Sequence, residues 1–247
     1  MTDNHIHIGQ FDEQYYSAQE VFDTVLNANV KHIVYSSTSS CIDNVRYSQI
    51  EKEIDGALKL CDSHIATPLF WFIPDYINQG VTIESVMKNN PYGGFKLHPY
   101  SHTWTFAKDK KQNKALHEIF SYAEQHALPI LIHTGPSGVD SPDRFEKFFE
   151  EYPAARVILA HGRPIDKTIK MMHRFDNVEC DTAFMPEESV HTLVSTGLAS
   201  RVLPGSDFPI TQFMANKFKK DNARDITLAG QYEKDIVVLR KYETLLA

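Results

Sequence analysis

The sequence predicts a (β/α)8 barrel. Three observations carry that prediction: eight short apolar or β-branched runs alternate with helical patterns, the 247 residues suit a barrel closed as one domain, and polar residues end several of the runs. Strands that alternate with helices run parallel, because each helix carries the chain back before the next strand begins. The structural alternative, an open doubly wound sheet, would place a glycine-rich phosphate turn after its first strand, and the chain contains no G-x-G-x-x-G or Walker pattern. No Pro/Ser-rich linker or internal repeat divides the chain, so residues 1–247 are read as a single domain.

In chain order, the first strand is "HIHIG", followed by a helix from Ala18 with Phe22, Val25 and Leu26 at helical spacing. "KHIVYSS" is the second strand, and Ile50, Ile54, Ala57, Leu58 and Cys61 mark the next helix. "IATPLFWFIP" and "GGFKLHP" are the third and fourth strands. The long connection "YSHTWTFAKDKKQN", aromatic and then basic, is a candidate lid. Ala115, Leu116, Ile119, Phe120 and Ala123 form a helical stripe before the fifth strand, "LPILIHTG". "SPDRFEKFFEEYP" opens a helix with Ser141 as cap and Pro142 at the first helical position; its stripe is Phe145, Phe148, Phe149 and Tyr152. The sixth and seventh strands are "RVILAHG" and "NVECDTAF". Val190, Leu193, Val194 and Leu198 then predict a helix before the eighth strand, "RVLPGSDFP". Beyond Ile210 further helices are expected, including "EKDIVVLRKYETLLA".

Composition narrows the function classes. No apolar run approaches the ~18–20 residues of a membrane span. "MTDNHIHIG" has neither the basic start nor the apolar stretch of a signal peptide, so a cytoplasmic protein is expected. Cys41, Cys61 and Cys180 are odd in number and widely spaced, which points to neither a disulfide framework nor a thiolate metal site. A net charge of −7 argues against wrapping nucleic acid, whose phosphates favour a basic face, and leaves a small molecule as the expected partner; an oligomer stays open.

Catalytic groups of this fold sit at the C-terminal ends of the strands. His5 and His7 share one face of the first strand while Ile6 and Ile8 share the other. The fourth strand ends in Lys96 and His98, the fifth in His133, the sixth in His161 and the eighth in Asp207. Strand parity places His133 with Leu131, and His161 with Leu159 and Val157. A lone strand-end histidine is more often a hydrogen-bonded structural residue, and a lone Asp more often a cap. His32, His64, His117, His126, His173 and His191 lack a strand-end setting and are read as surface, helix or packing residues. Taken jointly, the strand-end imidazoles and Asp207 suit zinc or another divalent transition metal.

"GFKLHP", "LIHTG", "LAHG" and "GSDFP" resemble the amidohydrolase superfamily. They look like its amidohydrolase-related branch of hydrolases, lactonases and aminocarboxymuconate-semialdehyde-type decarboxylases. The resemblance runs from the first strand to Pro209. It implies that His5, His7, His133 and Asp207 hold the principal metal, with His161 either a second-metal ligand or an acid/base group. Lys96 would be either a carboxylated bridge between two ions or a cation for the substrate; one ion, zinc, is the preferred reading. The chain departs from the family pattern in its short lead before His5, in Arg163 after "HG", and in Pro204. A metal-dependent hydrolase using an activated water is expected, with Asp207 and His161 catalytic. A non-oxidative decarboxylase and a non-catalytic barrel are the alternatives. A TatD-like nuclease is disfavoured by the acidic balance. Arg163, with Lys96 and His98, would hold a substrate carboxylate, unless Arg163 pairs with Asp166 instead.

Overall fold

The computed structural model describes residues 1–62, 64–102, 104–210 and 227–247. The stretch 211–226, where further helix is expected, lies outside them. All eight expected strands are present: β1 (Thr2–Phe11), β3 (His32–Ser37), β4 and β5 (Ala66–Pro68 and Phe70–Phe72), β6 (Phe95–Leu97), β7 (Ile130–His133), β8 (Val157–Ala160), β9 (Val178–Asp181) and β10 (Val202–Leu203). β4 and β5 are two halves of one barrel strand on either side of Leu69: β4 pairs with β3, and β5 pairs with β6. β2 (Gln14–Tyr16) is an unforeseen short antiparallel addition to β1.

The ring closes between its first and last strands. Asn4 N donates to Pro204 O at 3.0 Å, Asp207 N to His5 O at 2.8 Å, and His7 N to Phe208 O at 2.8 Å, with a parallel bridge from Ile6 to Phe208. Closure leaves no open edge in the barrel.

Around the ring lie α1 (Ala18–Asn27), α2 (Tyr47–Leu58), α3 (Ile83–Asn89), α4 (Lys110–His126), α5 (Glu146–Glu151), α6 (Ile165–Arg174), α7 (Glu187–Ser195) and α8 (Leu228–Leu246). Their apolar stripes cover the outward faces of the strands. Ile6, Ile8, Ile130, Ile132, Val157 and Leu159 belong to this outer core, together with Phe22, Leu116, Phe120 and Phe149. The lumen holds a small separate cluster of Leu69, Leu131, Ile158 and Ala160.

Register assigns the faces. Trp71 pairs with Lys96, Lys96 with Leu131, and Leu131 with Ile158, one level of the lumen. This corrects the parity expected for β8: Ile158 and Ala160 face inward, while Val157 and Leu159 face the helices. His161 still reaches the lumen because it lies one residue past the strand with φ +70°, a left-handed turn that breaks the period of two.

The readings of Ser141 as a helix cap and of the long connection as a lid are also corrected. Ser141 makes no side-chain bond to the helix backbone; its hydroxyl donates to the Asp143 carboxylate and accepts from Lys167 Nζ at 2.7 Å. The segment therefore starts as a 3-10 turn, Pro142–Phe145, before the short α5. In the long connection after β6, Trp104 and Phe106 are buried against Phe72 and Phe145, making this part of the shell; Tyr100 stays exposed. Among the described residues no helix is long and apolar enough to cross a membrane.

Candidate active site

The C-terminal end of the barrel gathers side chains from almost every strand. Barrel closure lays the Asp207 turn over β1, so that Asp207 Oδ1 lies 2.9 Å from His7 Nε2 and 3.1 Å from His5 Nε2. His161 joins them: one ligand atom each from His5, His161 and Asp207 lie within 4.8 Å of one another. His7 touches this group through Asp207. His133 sits one ring further out, with its Nδ1 3.0 Å from His161 Nε2.

Lys96 Nζ lies 2.9 Å from His5 Nε2. His98 is stacked between Trp71 and His133, with ring centroids at 5.4 and 3.8 Å. Arg163 lies at the wall, its Nε donating to Thr134 O at 3.1 Å and its guanidinium above Phe184. Among the described residues Arg163 has no ion pair, and Asp166 is exposed on α6.

Burial sets the protonation states. It lowers His7 to about 4 and His161 to about 3, against the opposing pull of the Asp207 carboxylate. Burial, with Lys96 adding to it at His98 and His98 adding to it at His133, pushes both of these imidazoles well below their usual value. Burial alone would raise Asp207, but His5 and the hydrogen bond to His7 outweigh it and hold the carboxyl far below its usual range. Lys96 is lowered to about 8 by burial, with Asp207 and Asp181 opposing, so it remains an ammonium at neutral pH. Of the three groups expected to make the pocket cationic, Lys96 and Arg163 carry charge and His98 does not.

These groups suit a cation. Neutral imidazoles and an ionised carboxylate are the forms that bind metal. The outward ring nitrogens have acceptors in place: Asp181 Oδ2 is 2.8 Å from His5 Nδ1, and the Ala183 carbonyl is 3.2 Å from His161 Nδ1. Protons held there leave the Nε2 lone pairs facing inward beside a carboxylate, an arrangement of acceptors that a divalent ion would bind.

His7, His133, His161 and Asp207 line a cavity of about 680 Å³, walled by Phe11, Trp71, Tyr100, Pro136 and Phe184 and reached by Lys96 and Arg163. Sequence reasoning missed Trp71, Asp140, whose Oδ2 lies 3.7 Å from His133 Nε2, and Asp181. Asp181 ends its strand just as His133 ends β7, so the signal was present in "NVECD".

The sequence model of the amidohydrolase family matches residues 79–238. The chain belongs to the amidohydrolase family. The match takes in Lys96, His98, His133, His161, Arg163 and Asp207, and it extends past Pro209, where the resemblance was expected to end. No curated relative matches the sequence.

Solved amidohydrolases and their structural kin share the fold. A probable 2-pyrone-4,6-dicarboxylic acid hydrolase from Acinetobacter baumannii, with citric acid bound, superposes with a TM-score of 0.63 at 13% identity, over 99% of this chain and 94% of that one. A TatD homologue from Escherichia coli K12 gives 0.62 at 11% identity, over 100% and 93%. Amidohydrolase 2 from Bifidobacterium longum subsp. infantis gives 0.54 at 15% identity, over 98% of each.

Proposed function

We propose that the chain is a metal-dependent hydrolase of the amidohydrolase-related branch, acting as one domain in the cytoplasm on a small carboxylate-bearing substrate. The observation that carries this reading is the convergence of His5, His7, His161 and Asp207, the last three lining a cavity whose wall bears Lys96 and Arg163. Imidazoles with a carboxylate fit one zinc ion, with His133 close enough to His161 to complete or support the set. A divalent ion held there would supply Lewis acidity and bring the ionisation of water toward neutral pH.

The chain's own residues do the rest. Asp207 accepts the proton of the attacking water and passes it to the leaving group. Arg163 and Lys96 bind the substrate carboxylate and orient the scissile bond. His161 assists at the developing oxyanion. The aromatic walls exclude bulk water and strengthen these charge interactions. The Acinetobacter protein, a probable dicarboxylic acid hydrolase with citric acid bound, agrees with an anionic substrate.

The apolar wall of Trp71, Phe11 and Phe184 favours one second reading, non-oxidative decarboxylation, since desolvation of a carboxylate promotes loss of carbon dioxide. The deciding experiment assays zinc-loaded protein against esters, lactones, amides and carboxylated unsaturated acids. Hydrolysis products establish the first reading and carbon dioxide the second. A filled metal site with no turnover of any compound would leave a binding barrel.

A further inference from the structure

Asp181 ends β9 with its side chain wholly buried, and no step of the proposed hydrolysis uses it. Its two carboxylate oxygens have separate partners. Oδ2 lies 2.8 Å from His5 Nδ1, and Oδ1 accepts the backbone N–H of His161 at 2.8 Å and that of Ala183 at 3.1 Å. One carboxylate thus ties β1 to the left-handed turn after β8, the two places that supply the imidazoles of the tightest group.

The same contacts select a tautomer. An ionised carboxylate only accepts hydrogen bonds, so the His5 nitrogen facing Asp181 carries the ring proton and Nε2 keeps its lone pair. From the other side, Lys96 Nζ at 2.9 Å needs that lone pair as its acceptor. Asp181 and Lys96 both call for Nδ1–H, the form in which Nε2 can ligate an ion; Asp207 Oδ1, 3.1 Å from the same Nε2, competes for a proton there, so it is Asp181 and Lys96 together that hold the lone pair free.

We propose that Asp181 is a positioning residue: it holds His5 in its ligating tautomer and, through the backbone of His161, sets the spacing between the two imidazoles. The proposal rests on the reading that His5 and His161 hold a metal, and its test separates the two ideas. Asp181→Asn keeps one oxygen for the His161 and Ala183 N–H groups while turning an NH₂ toward His5, which must then move its proton to Nε2. Asp181→Ala removes both functions.

Two measurements decide it. Long-range ¹H–¹⁵N correlation spectra of the metal-free protein report the His5 tautomer, and competition with a chromophoric chelator reports zinc affinity. The expected result is Nδ1–H in the parent chain and Nε2–H in Asp181→Asn, with zinc affinity lower by roughly 10- to 100-fold in Asn and at least as low in Ala. In a His5→Ala background, adding Asp181→Asn should cost less than about threefold more, because its route to the metal is already gone. An unchanged His5 tautomer in Asp181→Asn, or zinc affinity within about twofold of the parent, would overturn the proposal. If the parent chain binds no zinc, the metal reading falls, and the tautomer spectra of the metal-free chain still decide whether Asp181 governs His5.

Discussion

Asp207 Oδ1 lies 2.9 Å from His7 Nε2 although 200 residues separate the two in the chain. The contact exists because the turn after β10 hydrogen-bonds along β1, where Asp207 N donates to His5 O. It joins the barrel's closing seam to the candidate metal site.

The purified protein should carry about one tightly held transition metal per chain. His5→Ala combined with His7→Ala should abolish it, as read by elemental analysis. Zinc at a free concentration of 100 times its Kd should stabilise the parent chain by about 2.7 kcal/mol, roughly 5–10 °C in Tm. Unchanged metal content in the double variant would remove His5 and His7 from the site.

Lys96 is expected to act as a cation and not as a carboxylated bridge. Lys96→Ala should therefore leave metal content near one per chain while weakening binding of the substrate acid. Two ions per chain in the parent, one of them lost in Lys96→Ala, would establish the bridge instead.

Arg163→Met should lower kcat/KM by at least roughly tenfold for a carboxylate substrate, about 1.4 kcal/mol, and leave its neutral methyl ester nearly unaffected. The Nε bond to Thr134 O gives the residue a structural task as well. Equal losses on acid and ester would mean that this structural task is its only one.

The metal-free protein should lose stability as pH falls from 6.5 toward 4. His7 titrates at about 4 when folded, against 6.5 unfolded, so across that window the unfolded chain binds a proton that the folded chain refuses. His7 alone is worth on the order of 3 kcal/mol above pH 6.5, a contribution lost as pH drops through the folded value. His161, at about 3, acts in the same direction. Urea midpoints between pH 7.5 and 4.5 should fall less steeply in His7→Gln; an equal slope would contradict the assignment.

Gly94→Ala should destabilise the chain by about 1–3 kcal/mol in urea denaturation. A Cβ there would meet the carbonyl oxygen of Pro129 at 2.6 Å, with the Pro129 ring at 2.9 Å and Leu69 Cδ2 at 3.0 Å, and the backbone oxygen has little room to yield. Because Gly94 leads into β6, the variant should also disturb Lys96; wild-type stability would show that β6 and β7 can separate locally.

Local pattern carried much of this protein. The eight strands were legible because apolar runs bounded by helical stripes recur along the chain, and the shared face of His5 and His7 followed from the two-residue period of an extended strand. The same rule failed at His161, where φ +70° turns the side chain inward from a position of opposite parity. Asp181 escaped notice because a carboxylate after a strand looks locally like a turn or cap, and its partners are His5, 176 residues away, and the backbone of His161.

The sequence by itself determined the alternation of strands and helices, the inward face of β1 and the residues available at the strand ends, since each depends on neighbours a few positions apart. The tertiary structure alone decided which of those residues meet. Barrel closure set Asp207 against His5 and His7, the left-handed turn carried His161 into their group ahead of His133, and burial lowered His7 and His161 while Asp207 stayed charged. Distance, dehydration and charge pairing arise only when segments far apart in sequence are packed together, so no local pattern encodes them.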